Sequence, residues 1–163
     1  MGRNHKKLLN TIQDLVSDEF LEDAKSGFKK APMTTRITPY LLSLMDWKDP
    51  VNCPIRRQFL TLASHLQPNH PMLRFDSLGE QADSPVKGLT HRYEDKVLFL
   101  ALDTCPVYCR YCTRAYAVGG DTESAEKISI KATNDRWKQM FSYLRENPQV
   151  QDVVISGSDS FRL

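Results

Sequence analysis

The sequence predicts an α/β fold: a helical amino-terminal region followed by a first βαβ unit. Three observations carry this. Apolar residues recur at helical spacing near positions 5–30. The continuous run Val97-Leu98-Phe99-Leu100-Ala101-Leu102 has strand length, as in a strand buried on both faces of a parallel sheet. A helical pattern around Trp137 is then followed at once by a second short run, Val153-Val154-Ile155.

In the first region Leu8, Leu9, Ile12, Leu15, Val16, Phe20 and Leu21 fit one long helix or two short ones with a charged opposite face. Thr38-Pro39 starts another helix, because threonine caps and proline suits the first helical position. Leu41, Leu42 and Met45 follow at helical spacing, and Trp47 closes the apolar face. Prolines at 50, 54, 68, 71 and 85 limit the next stretch to a wrapping connector with one short helix around Ile55–Leu62. A helical region over 1–90 and a sheet region over 91–163 are therefore expected. The second holds a strand over 97–103, a loop over 104–120, a helix over 134–147 capped by Asn134 and ended by Asn147-Pro148, and a strand over 152–156. Two strands in parallel would leave most edges and faces of the sheet uncovered.

Length and composition bound the function. A chain of 163 residues buries roughly 68–70% of its unfolded surface, and 40% hydrophobic with 26% charged residues is the mix of a soluble globular protein. No apolar run approaches the roughly 20 residues of a membrane span, and the basic start Met-Gly-Arg-Asn-His-Lys-Lys lacks the apolar stretch of a signal peptide. A cytoplasmic protein without membrane contact is expected. The net charge of +2 is interspersed, and Lys29-Lys30 or Arg56-Arg57 are too short for a nucleic-acid stripe, so no nucleic-acid partner is expected.

The chemistry concentrates in Cys105-Pro-Val-Tyr-Cys109-Arg-Tyr-Cys112, just after the first strand. In α/β barrels that carboxyl edge is where loops converge on one mouth. Three thiolates on one tight loop are the soft donors an iron–sulfur cluster requires, and three rather than four leave one iron open. Zinc is the alternative, with Cys53, His65, His70 or His91 as fourth ligand, although the second CxxC usual in such sites is missing. Reactive or merely buried thiols are the third reading. Cys53, followed by proline, reads as structural, and Gly119-Gly120 as a turn without phosphate-loop context.

Several segments together resemble the lysine 2,3-aminomutase family of radical S-adenosylmethionine enzymes. They are Cys53-Pro-Ile-Arg-Arg-Gln58, Asp76-Ser-Leu-Gly-Glu80, Gly88-Leu-Thr-His-Arg-Tyr93, Asp103-Thr-Cys105 through Thr-Arg114, and Asp152-Val-Val-Ile-Ser-Gly-Ser-Asp159. The resemblance covers most of the chain from about residue 36. It implies a partial (β/α) radical S-adenosylmethionine barrel, of which this chain holds the beginning. It implies a four-iron, four-sulfur cluster on Cys105, Cys109 and Cys112 with S-adenosylmethionine at the open iron. It also implies pyridoxal phosphate carrying an amino acid whose amino group migrates between adjacent carbons.

By the same resemblance Arg114 pairs with the substrate carboxylate, His91, Arg92 and Tyr93 line the pyridoxal phosphate site, and Ser156, Gly157 and Asp159 approach S-adenosylmethionine. The plainer readings are a surface arginine, a pre-strand surface turn and a post-strand turn. Three departures stand out: Glu94 where proline is common, Lys96 where arginine is common, and Ser158 where the family has glycine. Lysine meets a phosphate as a point charge rather than a fork, and serine restricts the backbone.

The segments that would carry the pyridoxal-binding lysine and the residues reading the substrate side chain find no match, and neither Lys127 nor Lys131 has a suitable motif around it. The expectation is the amino-terminal portion of an amino acid 2,3-aminomutase, as a truncated or mis-joined product or a fragment. The alternative is a non-catalytic iron–sulfur-binding fragment. A small-molecule amino acid substrate is the expected partner, and the sequence leaves a homo-oligomer open.

Overall fold

A computed structural model describes residues 3–68, 70–158 and 160. The chain divides into two compact units. The first comprises Met1–Leu73, Pro106–Cys112 and Gly119–Glu126, and the second Arg74–Cys105, Thr113–Val118 and Lys127–Leu163.

The first unit is helical. Helix α1 spans Arg3–Ile12 and α2 spans Asp18–Lys30, so the amino-terminal pattern resolves into two helices. Ser17 starts α2 by accepting the Phe20 amide at 3.2 Å, Asp18 and Glu19 sit in its first turn, and Lys29 and Lys30 in its last. Charges of those signs complement the helix dipole. Leu8, Leu9 and Ile12 of α1 pack with Phe20, Ala24 and Phe28 of α2 and with Leu60 and Leu62, while Leu42 and Trp47 lean on the same core. Leu15, counted in the helical stripe, lies in the intervening turn and is exposed. At Gly27 a Cβ would stand 2.5 Å from the Thr61 carbonyl oxygen, so only glycine lets α2 meet that backbone.

Thr38 and Pro39 open α3 (Pro39–Ser43), with the Thr38 hydroxyl accepting the Leu41 amide at 3.3 Å. Helix α4 spans Pro54–Phe59, shorter than the stretch to Leu62. Cys53 caps it: its Sγ accepts the Asp46 and Arg56 amides at 3.3 and 3.4 Å, which gives this thiol a structural task. Arg56 is fully buried and donates to the carbonyls of Pro50, Val51 and Leu60. Burial pushes it down to about 10, leaving it charged at neutral pH.

The second unit is built on a three-stranded sheet ordered β1 (Leu89–Tyr93), β2 (Lys96–Leu100), β3 (Asp152–Ser156). Strands β2 and β3 are parallel, with Val97 opposite Val153 and Leu100 opposite Ser156. The expectation of two strands is corrected. Leu89–Tyr93 forms a third, antiparallel to β2, with Thr90 opposite Leu98, so His91-Arg92-Tyr93 lies in a strand rather than a pre-strand turn. Strand β2 ends at Leu100, short of the expected 103, although Ala101 still donates its amide to the Ser156 carbonyl at 2.8 Å.

Helix α5 spans Asn134–Glu146, and its cap is Thr133 rather than Asn134, through a hydroxyl that accepts the Arg136 amide at 3.4 Å. Met140 of α5 packs on Leu89, Val97 and Phe99, while Tyr116, Ala117 and Ile130 cluster with Leu100 and Leu98. Strand β2 is thus buried among apolar groups, whereas Val153, Val154 and Ile155 of β3 remain exposed. No helix among the described residues is long and apolar enough to cross a membrane.

Candidate functional site

The loop that bears the cysteines begins where β2 ends, and that exit is rigidly held. Arg136, buried on α5, donates from Nη1 to the Leu100 carbonyl at 2.8 Å, from Nη2 to the Ala101 carbonyl and from Nε to the Lys131 carbonyl at 3.0 Å. Trp137 adds an indole donor to the Ala101 carbonyl at 3.1 Å. Carbonyls that a continuing strand would have paired are satisfied by side chains instead, which fixes the path toward Cys105.

Cys105 falls in the second unit and Cys109 and Cys112 in the first. All three are partly buried and none is in a disulfide. Within the first unit the loop backbone is anchored by Tyr108 N to the Arg36 carbonyl at 2.9 Å and Arg110 N to the Gln58 carbonyl at 2.8 Å. Among the described residues no group of three or more His, Cys, Asp or Glu side chains is gathered to hold a metal ion. The donor set itself, three thiols on one loop, fits an iron–sulfur cluster. The fourth ligands weighed for zinc include Cys53, whose sulfur is used as a helix cap, and His91, whose Nδ1 lies 2.6 Å from the Tyr143 hydroxyl.

Arg114 is three-quarters buried rather than a surface arginine. Its Nη2 donates to Glu80 Oε1 at 3.0 Å, and Glu80 Oε2 accepts the Tyr116 hydroxyl at 2.7 Å. The Glu80 side chain is 5% exposed, and its amide is held at 3.1 Å by Asp76, whose carboxylate also takes the Gln81 amide at 2.8 Å. Burial, then the bond to Glu80, pushes the Tyr116 phenol far above its usual range, so it stays a donor. Arg114 Nε is buried without a partner. Sequence reasoning passed over Glu80 as a site residue. Its only signal was its place in a family-like segment, 34 positions before Arg114.

Strand β1 separates the expected trio, with its register against β2 shifting between Thr90 and Tyr93. His91 turns to Tyr143 of α5, while Arg92 and Tyr93 line a cavity of about 220 Å³ together with Lys96, Glu80 and Thr90. Arg92 donates to Asp83 Oδ2 and to the Leu78 carbonyl, both at 2.6 Å, and the Asp83 bond raises it above the usual arginine value. The Thr90 hydroxyl on the cavity wall is buried without a partner.

Ser156 ends β3 with its carbonyl tied to Ala101. Gly157 has φ +89°, and a Cβ there would come within 2.8 Å of Ala101 N and Leu102 O, so the glycine serves close packing beside the β2 exit. Ser158 adopts φ +53°, a glycine-like conformation, with its hydroxyl buried and unpartnered. Asp159 lies outside the described residues. Lys127 Nζ donates to the Ala115 and Val118 carbonyls at 2.7 and 3.1 Å, holding the segment after Arg114.

A cysteine-bearing loop begins where β2 ends and Arg114 stands two residues past its last cysteine; comparison with known sequences supplies the family. No family model matches the chain. L-lysine 2,3-aminomutase of Bacillus subtilis is 39% identical over 151 residues, 93% of this chain and 30% of that protein. The enzyme of the same name from Clostridium subterminale is 45% identical over 124 residues, 76% of this chain and 28% of that protein. Glutamate 2,3-aminomutase of Clostridioides difficile is 29% identical over 145 residues, 89% of this chain and 31% of that protein. The chain belongs to the lysine 2,3-aminomutase family and spans about a third of the length of the curated relatives it matches.

Proposed function

We propose that the chain is the amino-terminal portion of a radical S-adenosylmethionine, pyridoxal phosphate-dependent amino acid 2,3-aminomutase, and that its sheet begins a partial (β/α) barrel. The observation that carries the reading is the CxxxCxxC loop leaving β2 in a chain of this family. Cys105, Cys109 and Cys112 would hold a four-iron, four-sulfur cluster through thiolate sulfur, leaving one iron without a protein ligand. When bound, the cofactors supply reductive radical initiation and a carrier for the migrating amino group.

The chain's own residues bind and orient. Arg114 receives the carboxylate of an amino acid substrate, for which a planar guanidinium offers paired donors. Arg92, paired with Asp83, and Lys96, 3.2 Å from Asp95, bring two cationic side chains, and Tyr93 a ring, to the 220 Å³ cavity that Glu80 also lines, and a planar anionic cofactor would have to draw the two cations from those aspartates. Gly157 brings backbone rather than side chain to the end of β3, and Ser156 and, by sequence match alone, Asp159 are assigned with it to S-adenosylmethionine.

Anaerobic reconstitution with iron and sulfide tests the cluster by visible absorption, spin resonance and metal analysis. Iron and sulfide are expected to bind in the parent chain and to be lost in Cys105→Ala, Cys109→Ala and Cys112→Ala. Failure to take up iron, or preference for zinc, would overturn the assignment. Release of 5′-deoxyadenosine after S-adenosylmethionine and reductant are added separates a radical-generating chain from one that only binds the cluster.

A further inference from the structure

We infer that Glu80 is the positioning residue of Arg114: its buried carboxylate, locked by Tyr116, fixes the guanidinium so that Nε–H is kept for the carboxylate of a ligand. This rests on Arg114 being the carboxylate-binding arginine proposed above.

Arg56 and Arg136 are also removed from water, and each donates from Nε and from both Nη atoms to backbone carbonyls. Among the described residues, these two buried arginines therefore engage every donor nitrogen. Arg114 gives Nη2 to Glu80 and leaves Nε buried with nothing to accept it, although its side chain keeps 24% exposure. A buried donor without an acceptor is costly, and such exceptions in folded proteins call for a function.

Glu80 is unsuited to being displaced by the ligand. Both of its oxygens are engaged, by Arg114 and by Tyr116, and its backbone amide is tied to Asp76. A carboxylate held at both oxygens, on a backbone tied at its amide, acts as a support, orienting the guanidinium before a ligand arrives and lowering the cost of binding. Glu80 also lines the cavity that holds Arg92, Tyr93 and Lys96, so it ties Arg114 to the wall of that cavity.

The test reads the Arg114 Nε–Hε resonance in the ¹H–¹⁵N spectrum of the full 163-residue chain, assigned by its loss in Arg114→Lys. In the parent chain the resonance is expected to be dispersed and slow to exchange with solvent. In Glu80→Gln it should move toward the free-arginine position and exchange about tenfold faster, with a smaller change in Tyr116→Phe. L-Lysine should shift the resonance in the parent chain, cadaverine, which lacks the carboxylate, should not, and Glu80→Gln should blunt the response. A resonance unchanged in both variants, with thermal melts showing them folded, overturns positioning by Glu80; if Glu80→Gln does not fold, Tyr116→Phe alone decides. A parent resonance that ignores L-lysine yet collapses in Glu80→Gln overturns the carboxylate-binding role of Arg114 and leaves the positioning intact.

Discussion

Arg136 and Arg114 belong to the same unit and are both largely withdrawn from water, yet the fold treats them in opposite ways. Arg136 sits on α5 with three donor nitrogens on three carbonyls, closing the polar edge that β2 exposes where the chain turns toward Cys105. Arg114, two residues beyond Cys112, meets one carboxylate and retains a donor with no acceptor. The first arrangement spends its hydrogen-bonding capacity on the backbone and so specifies a conformation. The second holds capacity back, at a stability cost that a ligand can relieve.

The largest effect should come from breaking the satisfied member. Arg136→Ala strands the Leu100 and Lys131 carbonyls and opens a void against Met140, and should cost about 3 kcal/mol, a fall in Tm of roughly 6–12 °C for a domain of this size. Arg114→Gln should cost only about 1 kcal/mol, because the amide can still donate to Glu80 and the orphaned Nε disappears. Thermal denaturation of the two variants side by side checks the contrast. Equal losses would remove the distinction between the two arginines.

Sequence carries this contrast unevenly. The parallel pairing of β2 with β3 and the start of α3 follow from local pattern: a continuous apolar run reads as a buried strand, and Thr38-Pro39 is a cap followed by a preset first turn. Strand β1 does not follow, because Leu-Thr-His-Arg-Tyr lacks an apolar run and becomes a strand only by pairing with β2. Val153-Val154-Ile155 reads like Val97–Leu102 but is exposed, since the clusters that bury β2 leave β3 at the sheet's edge. The Arg114–Glu80–Tyr116 network joins residues 34 and 36 positions apart, and no local period announces such a contact. Arg136 was hidden for a different reason: it interrupts the apolar face of α5 as an ordinary charged residue would, and only the β2 carbonyls show what it is for.

Ser158 offers a smaller effect of opposite sign. It stands where the resemblance leads one to expect glycine, holds φ +53° and buries an unpartnered hydroxyl. A left-handed serine costs roughly 1–2 kcal/mol and the stranded hydroxyl adds to that, while glycine restores some unfolded-state entropy. Ser158→Gly should therefore stabilise the chain by about 1 kcal/mol in chemical denaturation. Like Arg114 Nε, the Ser158 hydroxyl is a cost carried beside an expected ligand contact. If glycine destabilises instead, the hydroxyl has a partner in solution and this side of the contrast narrows.

His5 carries the satisfied side of the comparison into the first unit, where acid can break it. Its Nε2 accepts the Thr35 amide at 3.3 Å and its ring lies 4.9 Å from that of Phe28, an arrangement available only to neutral imidazole. Burial lowers the His5 pKa below its usual value near 6.5. Between the usual value and the lowered one the unfolded chain binds more protons than the folded chain, so stability rises with pH across that window. The contribution is fully present above about pH 6.5 and is lost as pH falls toward the lowered value. Melting should therefore occur at lower temperature at pH 5 than at pH 7.5, and His5→Gln, which keeps an acceptor but cannot titrate, should shrink the difference. An undiminished pH dependence in that variant would show that another group drives it, and His5 would drop out of the set of buried groups whose bonding the fold has completed.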